Sequence, residues 1–391
     1  MQGMNENSAV KKRVVFVLSG YGRVQRGAER FVENLAVRLA NRLEVVVLGS
    51  GTEAPCAVPL NFPTRDARWA VAANRCPGLG HFLRLFQLDP LNWEWLFCAR
   101  AAQRWLLKNP CDLLVVEGGR WGGRLGRWAH QRFGIPVVDV AHGAPSRWET
   151  AAARAHPQTY VSLTQTMASV MQRQVPDLRV AVIPMGIDLH RFSPEGPRQA
   201  LALERPITLA VGALEPLKRM GCLVEAVQRR GRGSLVILGR GPMERELAAQ
   251  GKARLGAGRF LMASATQEEL PAWYRAADVL ALASISESFG LVYVEALACG
   301  LPVVTRGDEL RREVLGDAAT LLPAEIPSDA ARDADAFAEG ITQALTTAET
   351  TRPQRQRRVQ EYDVERMANR YERLFCDLMA EFSQRSSAPF P

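Results

Sequence analysis

Residues Ser284–Val304, with the sequence SISESFGLVYVEALACGLPVV, carry the densest signal in this chain of 391 residues. Glu287 and Glu295 are separated by seven residues, and Ser-Phe-Gly directly follows the first glutamate. The pattern predicts a strand that ends near Ala283, a loop that presents Glu287, and a helix that starts near Gly290. The free N–H groups and positive dipole at a helix start favour phosphate, and glycine allows a phosphate to come close. Glu295 would then lie about one turn into the helix, where it could accept hydrogen bonds from a diol.

Two carboxylates at this spacing are ordinarily solvated surface charges, so their interpretation depends on the fold around them. Short apolar runs alternate with amphipathic segments along the whole chain. This alternation is typical of parallel sheets covered on both faces, and it predicts an α/β fold. The predicted strands are Val14–Leu18, Leu43–Leu48, Leu113–Val116, Pro136–Ala141, Tyr160–Leu163, Val180–Ile183, Ile207–Val211, Leu235–Leu238, Phe260–Met262, Val279–Leu282, Pro302–Thr305 and Thr320–Leu322.

A polar, proline-containing stretch at residues 192–206 separates two series of predicted strands. We therefore predict a first doubly wound, Rossmann-like domain over residues 1–191 and a second over residues 207–363. Ligands of such sheets bind beyond the carboxyl ends of the strands, so two of these domains facing each other would form one deep cleft. Residues 364–391 are predicted to form an amphipathic helix and tail, with the helix packing back onto the domains.

Composition excludes several classes of protein. With 47% hydrophobic and 23% charged residues, the chain is neither disordered nor collagen-like. The seven scattered cysteines form no C-x-x-C pair, so neither a zinc site nor a disulfide scaffold is indicated. The first apolar run, residues 14–19, is too short for a signal peptide, and Glu287 and Glu295 interrupt the longest candidate for a membrane span. We expect a cytoplasmic protein.

Taken together, these motifs resemble the retaining glycosyltransferases of family 4, also called glycosyl transferases group 1. These GT-B-fold enzymes move a sugar from a nucleoside diphosphate, and their paired glutamates are also seven residues apart. The resemblance extends over most of the chain. The other matching segments are Gly27–Arg30 (GAER), Val140–Gly143 (VAHG), Val182–Pro194 (VIPMGIDLHRFSP), Val211–Arg219 (VGALEPLKR), Leu238–Pro242 (LGRGP) and Leu270–Asp278 (LPAWYRAAD).

The resemblance implies a role for individual residues. Glu295 would bind the ribose hydroxyls, Glu287 would hold hydroxyls of the donor sugar, and Lys218 would neutralise the diphosphate. His142 would lie near the sugar, orienting it or stabilising the departing charge, and the loop ending at Gly27 would close over the donor. His142 and Glu287 are thus the predicted catalytic residues. The remaining predicted donor contacts are Gly212, Arg219, Ser288, Phe289, Gly290 and Leu291.

The chain departs from the family pattern at two positions. Ala213 stands where the family commonly has an arginine, and Arg26 replaces the first glycine of a usual pair. Arg26, Arg219 or Arg240 could supply the missing phosphate-binding cation, and the sequence leaves this choice open. A lone histidine such as His142 is ordinarily a core residue, so its predicted role depends on the resemblance. We expect neither a metal nor a cofactor.

The resemblance predicts a retaining, metal-independent hexosyltransferase with a UDP- or GDP-linked donor. Its acceptor would be a glycan, a glycolipid or a small molecule held by the first domain, as in cell-envelope polysaccharide synthesis. A nucleotide-sugar epimerase or a phosphorylase of the same fold is one alternative. A non-catalytic basic binding protein is another, although no nucleic-acid motif supports it. The sequence specifies neither the sugar nor the linkage.

The net positive charge of the chain is located in its first half. Residues 1–200 hold 25 lysines and arginines against 15 acidic residues, a net charge of +10, while the rest of the chain has a net charge of −2. Residues 65–108 and 118–132 mix arginines with tryptophans and phenylalanines. This mixture could contact an anionic membrane or a lipid-linked acceptor, or it could reflect core aromatics in an arginine-rich chain. Both interpretations are open.

Overall fold

A computed structural model describes residues 11–24, 27–65, 89–117, 119–143, 146–325 and 329–387. The chain divides into two units. The first unit comprises residues 1–184 together with residues 367–391, and the second comprises residues 185–366. The predicted linker, residues 192–206, contains no helix or strand and belongs to the second unit. The predicted domain limits and the cleft between the domains stay predictions.

The described part of the first unit contains a parallel sheet of seven strands in the order β3-β2-β1-β4-β5-β6-β7. The strands are β1 (Arg13–Val17), β2 (Glu44–Gly49), β3 (Ala57–Pro59), β4 (Leu113–Val116), β5 (Val137–Val140), β6 (Thr159–Ser162) and β7 (Val180–Val182). The helices are α1 (Gly27–Leu39), α2 (Pro90–Leu106), α3 (Gly119–Phe133), α4 (Arg147–Ala153) and α5 (Gln165–Gln174).

The second unit repeats this plan with six parallel strands in the order β10-β9-β8-β11-β12-β13. The strands are β8 (Ile207–Val211), β9 (Ser234–Leu238), β10 (Phe260–Ala263), β11 (Val279–Leu282), β12 (Val303–Arg306) and β13 (Thr320–Leu322). The helices are α6 (Met220–Arg229), α7 (Glu244–Leu255), α8 (Leu270–Ala276), α9 (Leu291–Ala298), α10 (Glu309–Leu315), α11 (Ala330–Thr346) and α12 (Arg352–Val359). Single 3₁₀ turns occur at Pro216–Lys218, Gly316–Ala318 and Gln360–Tyr362.

The central strands lie between helices on both faces, which explains their continuous apolar sequences. Every residue of β4, β8, β9 and β11 is buried. All twelve predicted strands are present, each within one or two residues of its predicted limits. Strand β3 was not predicted, because it is short and only partly buried and therefore shows no clear pattern.

The predicted terminal helix is also present, as α13 (Val364–Ser387). Most of it belongs to the first unit. Its buried Tyr371 and Phe375 pack edge-on against Phe31 of α1 and Phe16 of β1, with ring centroids 5.5 and 6.0 Å apart. This apolar stripe fixes the helix to the first unit.

The sheet edges are formed by short strands. Strands β3 and β7 flank the first sheet and have three residues each, whereas β10 and β13 flank the second sheet with four and three residues. Within the described ranges, no helix is long and apolar enough to cross a membrane.

Candidate functional site

The strand order of the second sheet places a ligand-binding position between β8 and β11. In open parallel sheets, ligands bind outside the carboxyl ends of the strands where the strand order reverses, and in this sheet that point lies between these two strands. The loops after β8 and β11 contain most of the predicted donor-binding residues. A backbone hydrogen bond of 2.9 Å from Ile285 N to Leu217 O joins the loops directly.

Lys218 and Glu287 meet at this position. The Lys218 Nζ lies 2.7 Å from Glu287 Oε1, and the side chains are 24% and 11% exposed. The fold therefore brings together two residues that are far apart in the sequence, and it leaves both partly open to a ligand. A cation and a carboxylate held side by side can divide their contacts between a phosphate and a sugar hydroxyl.

Glu295 lies about one turn into α9, as predicted, and is 4% exposed. Its Oε2 accepts a hydrogen bond of 2.8 Å from the Tyr274 hydroxyl, and its Oε1 accepts one of 2.9 Å from Gln267 Nε2. Burial, followed by the nearby Glu295 carboxylate, holds the pKa of Tyr274 well above its usual range, so Tyr274 remains a donor. These two donors fix the carboxylate of Glu295. Because each carboxylate oxygen has two lone pairs, it can still accept from a diol.

Gly290 precedes α9 with φ of +84°, in the left-handed region that favours glycine. A Cβ atom at this position would collide with the ring of Tyr293. Phe289 is 2% exposed and packs against Tyr362, with ring centroids 5.5 Å apart. The side chain of Phe289 therefore anchors the loop, and any donor contact would come from the backbone. Ser288 and Leu291 flank these residues and are half-buried.

Arg311, which was not among the predicted site residues, supports both ends of this loop. It is 1% exposed, and it donates from Nη2 to the Ser284 carbonyl at 2.8 Å and from Nε to the Tyr293 hydroxyl at 3.2 Å. It also contacts Asp308. Nothing in the sequence distinguished Arg311 from the many other arginines of the chain.

The three candidates for the missing phosphate cation differ in their surroundings. Arg219 forms an ion pair of 2.9 Å with the buried Asp333 of α11, which Arg306 also contacts. Arg240 is exposed, and its carbonyl accepts a hydrogen bond of 2.9 Å from Leu214 N in the loop after β8. Arg26 lies outside the described residues.

Glycines hold the loops after β8 and β9 together. A Cβ atom at Gly239 would collide with the carbonyl of Gly212, and one at Gly241 would lie 2.6 Å from the carbonyl of Leu214. The backbone of Gly212 is thus in close contact with the loop that carries Arg240. This contact gives the predicted Gly212 a packing role beside the Lys218 loop.

The first unit has its own reversal of strand order, between β1 and β4. Buried carboxyl groups gather near this position, and His142, which follows β5, joins them. His142 Nε2 contacts Glu117 Oε2, and its Nδ1 is buried without a hydrogen-bond partner among the described residues. The sequence predicted His142 as a contact to the sugar, whereas here one ring nitrogen is engaged by Glu117. Gly27 begins α1, and no described atom lies within 4 Å of the position that a Cβ atom would take there.

We call Glu29, Glu117, Asp139 and Glu149 the carboxyl cluster; all four are at most 8% exposed. Glu149 accepts hydrogen bonds from Gly143 N at 3.1 Å and from the Tyr160 hydroxyl at 3.4 Å.

Burial is the main cause of the pKa shifts of Glu117, His142 and Glu149. It raises the pKa of Glu149 to about 7 and lowers the pKa of His142 to about 4. Burial and the neighbouring acids also raise the pKa of Glu117 well above its usual range. Glu117 could have been suspected from the sequence, because it directly follows a strand.

The basic and aromatic segments contain both core and surface residues. Trp95 is buried, whereas Arg124 of α3 is exposed and lies over the ring of Trp121 at 4.7 Å. Residues 66–88, which include Trp69, Phe82 and Phe86, lie outside the described ranges.

Two family models match the chain. The model described as Glycosyltransferase Family 4 matches residues 25–191, and the model described as Glycosyl transferases group 1 matches residues 195–362.

Similar curated proteins are D-inositol 3-phosphate glycosyltransferases. The one from Frankia alni is 30% identical over 310 residues, which cover 68% of this chain and 76% of the relative. The one from Xylanimonas cellulosilytica is 31% identical over 246 residues, covering 53% of this chain and 59% of the relative. The matched regions span little more than half the length of the first such relatives.

Solved structures show the same fold. Sucrose-phosphate synthase from Thermosynechococcus elongatus has a TM-score of 0.73 at 19% identity, covering 95% of this chain and all of that chain. HepE of Anabaena, solved with UDP-glucose, has a TM-score of 0.68 at 18% identity, covering 93% and 99%. WaaG, a glycosyltransferase involved in lipopolysaccharide biosynthesis, has a TM-score of 0.67 at 18% identity, covering 93% and 99%.

Proposed function

The chain belongs to the family 4 glycosyltransferases and has the GT-B fold, and from this membership we propose that it transfers a hexose-type sugar from a UDP- or GDP-linked donor. The acceptor is a glycan, a glycolipid or a small molecule, and the anomeric configuration is retained. The observation that carries the proposal is the Lys218–Glu287 pair at the position where the strand order reverses. The UDP-glucose bound to HepE supports a uridine nucleotide as the first donor to test.

In this proposal, Lys218 and the start of α9 stabilise the negative charge that develops on the leaving diphosphate. The anomeric carbon exchanges its bond to the diphosphate oxygen for a bond to the acceptor oxygen, and the acceptor's hydroxyl proton leaves with the diphosphate. Glu287 accepts hydrogen bonds from the sugar hydroxyls. A lysine and a helix start can take the place of a metal ion here, so we propose a metal-independent reaction.

Two residues complete the donor site in the second unit. Glu295, fixed by Tyr274 and Gln267, accepts hydrogen bonds from the ribose hydroxyls. Arg240 supplies the second phosphate cation, because it is exposed beside the Lys218 loop while Arg219 is paired with Asp333.

The first unit supplies the acceptor site and His142. Glu117 holds the imidazole in one orientation, and His142 orients the sugar or stabilises the departing charge. Replacing His142 with alanine should reduce kcat more than donor affinity. Equal losses, or no loss, would make His142 a core histidine instead.

The location and biological role are also proposals. We propose a cytoplasmic enzyme that contacts the inner face of the membrane and takes part in cell-envelope polysaccharide synthesis. The similarity to WaaG supports this role. The relatives named for D-inositol 3-phosphate offer a second acceptor to test.

A nucleotide panel tests the central proposal. UDP, GDP and ADP are added separately, and a nucleotide at 100 times its Kd should stabilise the protein by about 2.7 kcal/mol. The matching UDP- or GDP-sugar is then supplied with and without acceptor, and the anomeric configuration of the product is read by NMR. A changed nucleotide sugar formed without acceptor would indicate an epimerase. Absence of binding by all three nucleotides would contradict the proposal.

A further inference from the structure

A separate cavity of about 310 Å³ lies in the second unit, between the segment at residues 189–195, the end of α9 and helix α12. Helix α9 starts beyond the carboxyl end of β11 and ends before the amino end of β12. Because these strands are parallel, the two ends of α9 lie at opposite edges of the sheet. The cavity is therefore at the other edge from Lys218 and Glu287.

Arg355 of α12 lines this cavity and is only 3% exposed. Its Nη1 donates to Thr351 Oγ1 at 2.7 Å, and its Nη2 donates to the Ala348 carbonyl at 2.7 Å. Its Nε is buried and has no acceptor within the described part of the chain. All of its bonding partners are uncharged.

No described carboxylate neutralises Arg355 through an ion pair. Glu349 attracts it from a distance, but that side chain is 86% exposed and lies 3.8 Å from Arg352. Burial, with a smaller contribution from Arg352, lowers the pKa of Arg355. Glu195, at the rim, is the one acidic residue among the described residues that line the cavity, and it is exposed.

A buried cation without a counter-ion is costly, since burial removes its hydration and provides no opposite charge in return. Arg352 also lines the cavity, and its ion pair with Glu349 is long, at 3.8 Å, and exposed. The rest of the wall is largely apolar, with Phe192, Leu297 and Val359 among its residues. A ligand with an anionic head and an apolar body would match both parts of the wall.

We propose that this cavity binds a small organic anion, with a phosphate or carboxylate head held by Arg355 and Arg352. The guanidinium groups would form charge-assisted hydrogen bonds to the head, and the apolar wall would cover the body. This site is independent of the proposed glycosyl transfer.

Phenyl phosphate and benzoate are suitable probes, because each combines an anionic head with an apolar ring. Each is titrated calorimetrically into the full chain carrying Lys218→Ala, which removes the proposed phosphate cation of the other site. Chloride at matched ionic strength is the reference. We expect saturable binding of at least one probe, and the stronger of the two identifies the preferred head group.

In the same background, Arg355→Met should weaken the better probe at least tenfold. Gln356→Glu should do the same, because it places a negative charge on an exposed residue of the cavity wall without altering Arg355. Arg357→Gln is the matched control, since Arg357 lies on the same helix but is 77% exposed and does not line the cavity.

Circular dichroism checks that each variant is folded. If Arg355→Met does not fold, Gln356→Glu decides the question. Absence of saturable binding by both probes would overturn the proposal, as would binding that Gln356→Glu leaves unchanged.

Discussion

Both units place polar residues where the strand order of their sheet reverses, but these residues are partly exposed in the second unit and buried in the first. In the second unit, Lys218 and Glu287 lie where β8 and β11 diverge, and both are partly exposed as an ion pair. In the first unit, Glu117 and His142 lie near the corresponding position between β1 and β4, and the Glu117 side chain is fully buried. Strand order thus determines where polar groups gather, whereas burial determines whether they keep their charge. Of these two pairs of residues, the Lys218–Glu287 pair is the one that offers charge to a diphosphate sugar.

The largest expected effect tests the partly exposed ion pair of the second unit. Lys218→Ala should lower kcat/KM for the preferred donor about 10²- to 10³-fold, because it removes the main cation that we propose for the leaving group. Steady-state kinetics measure this loss. Lys252→Ala, at an exposed lysine of α7, is the control and should have no effect. An unchanged kcat/KM for Lys218→Ala would show that the exposed ion pair is structural.

The next effect tests the first unit. Burial raises the pKa of Glu149 from about 4.5 in the unfolded chain to about 7 in the folded protein. The stability that Glu149 contributes is therefore complete below about pH 4.5 and is lost as the pH rises through about 7. Relative to Glu149→Gln, the free energy of unfolding of the wild type should fall by about 3 kcal/mol across this window. Denaturant unfolding at pH 4 and pH 8.5 measures the difference, and hydrogen exchange in β5 assigns it to the first unit. Glu53→Gln, at an exposed glutamate, should show no such trend.

His142 acts in the opposite direction in the same range. Its pKa is lowered, so the stability it contributes is present above about pH 6.5 and is lost as the pH falls through about 4. The Glu149→Gln variant should therefore lose stability on acidification more steeply than the wild type. A parallel pH dependence in both proteins would mean that Glu149 is ionised despite its burial.

A smaller effect is expected for Glu295. It is buried, like the acidic residues of the first unit, and it is also predicted to bind the donor. Glu295→Gln should weaken nucleoside diphosphate binding about 10- to 100-fold, the range for a hydrogen bond to a charged group. Calorimetric titration measures the Kd, with Glu246→Gln at an exposed position of α7 as the control. Equal affinities in the variant and the wild type would assign Glu295 to packing alone.

The smallest effect per residue concerns the basic charge of the first half of the chain. Arg120, Arg124 and Arg127 lie on α3 at positions i, i+4 and i+7, so they share one face. If this face meets an anionic membrane, each arginine should contribute roughly 1 kcal/mol at low salt. Co-sedimentation with anionic vesicles should then be lost between 0.1 M and 1 M salt, as the Debye length falls from about 10 to about 3 Å.

Matched variants complete the vesicle experiment. Changing the three α3 arginines to serine should abolish binding, whereas changing exposed arginines of the second unit, Arg232, Arg245 and Arg254, should not. Absence of binding at any salt concentration would favour a small acceptor. Binding that is independent of lipid charge would leave the tryptophans as the anchor.

The sequence predicted the strands well, because strands depend on local pattern. Glu287 and Glu295 lie where the predicted strand, loop and helix require them. The contacts that position this site were not predictable, since Arg311 reaches back to Ser284 across 27 residues. The charge of Arg311 is typical of a surface residue, and only the folded structure shows that Arg311 is buried.

Contacts between distant residues were equally unpredictable in the first unit and in the cavity that Arg355 lines. The position of His142 after a strand was correctly predicted, but its contact with Glu117 depends on the pairing of β4 with β5. Arg355 is one of several arginines in a very polar helical segment, so neither its burial nor its lack of an ion pair has a sequence signature.

The short strands at the sheet edges limit how another polypeptide can associate with this protein. An exposed edge strand can accept an incoming strand through its unpaired N–H and C=O groups, which is the first step of many aggregation and domain-swapping events. Strand β3 has only three residues, and one of them, Pro59, has no N–H group to donate. Strands β7 and β13 are equally short. Within the described ranges, the edge strands therefore offer little backbone for strand addition, and a protein partner would recognise side chains on helices and loops instead.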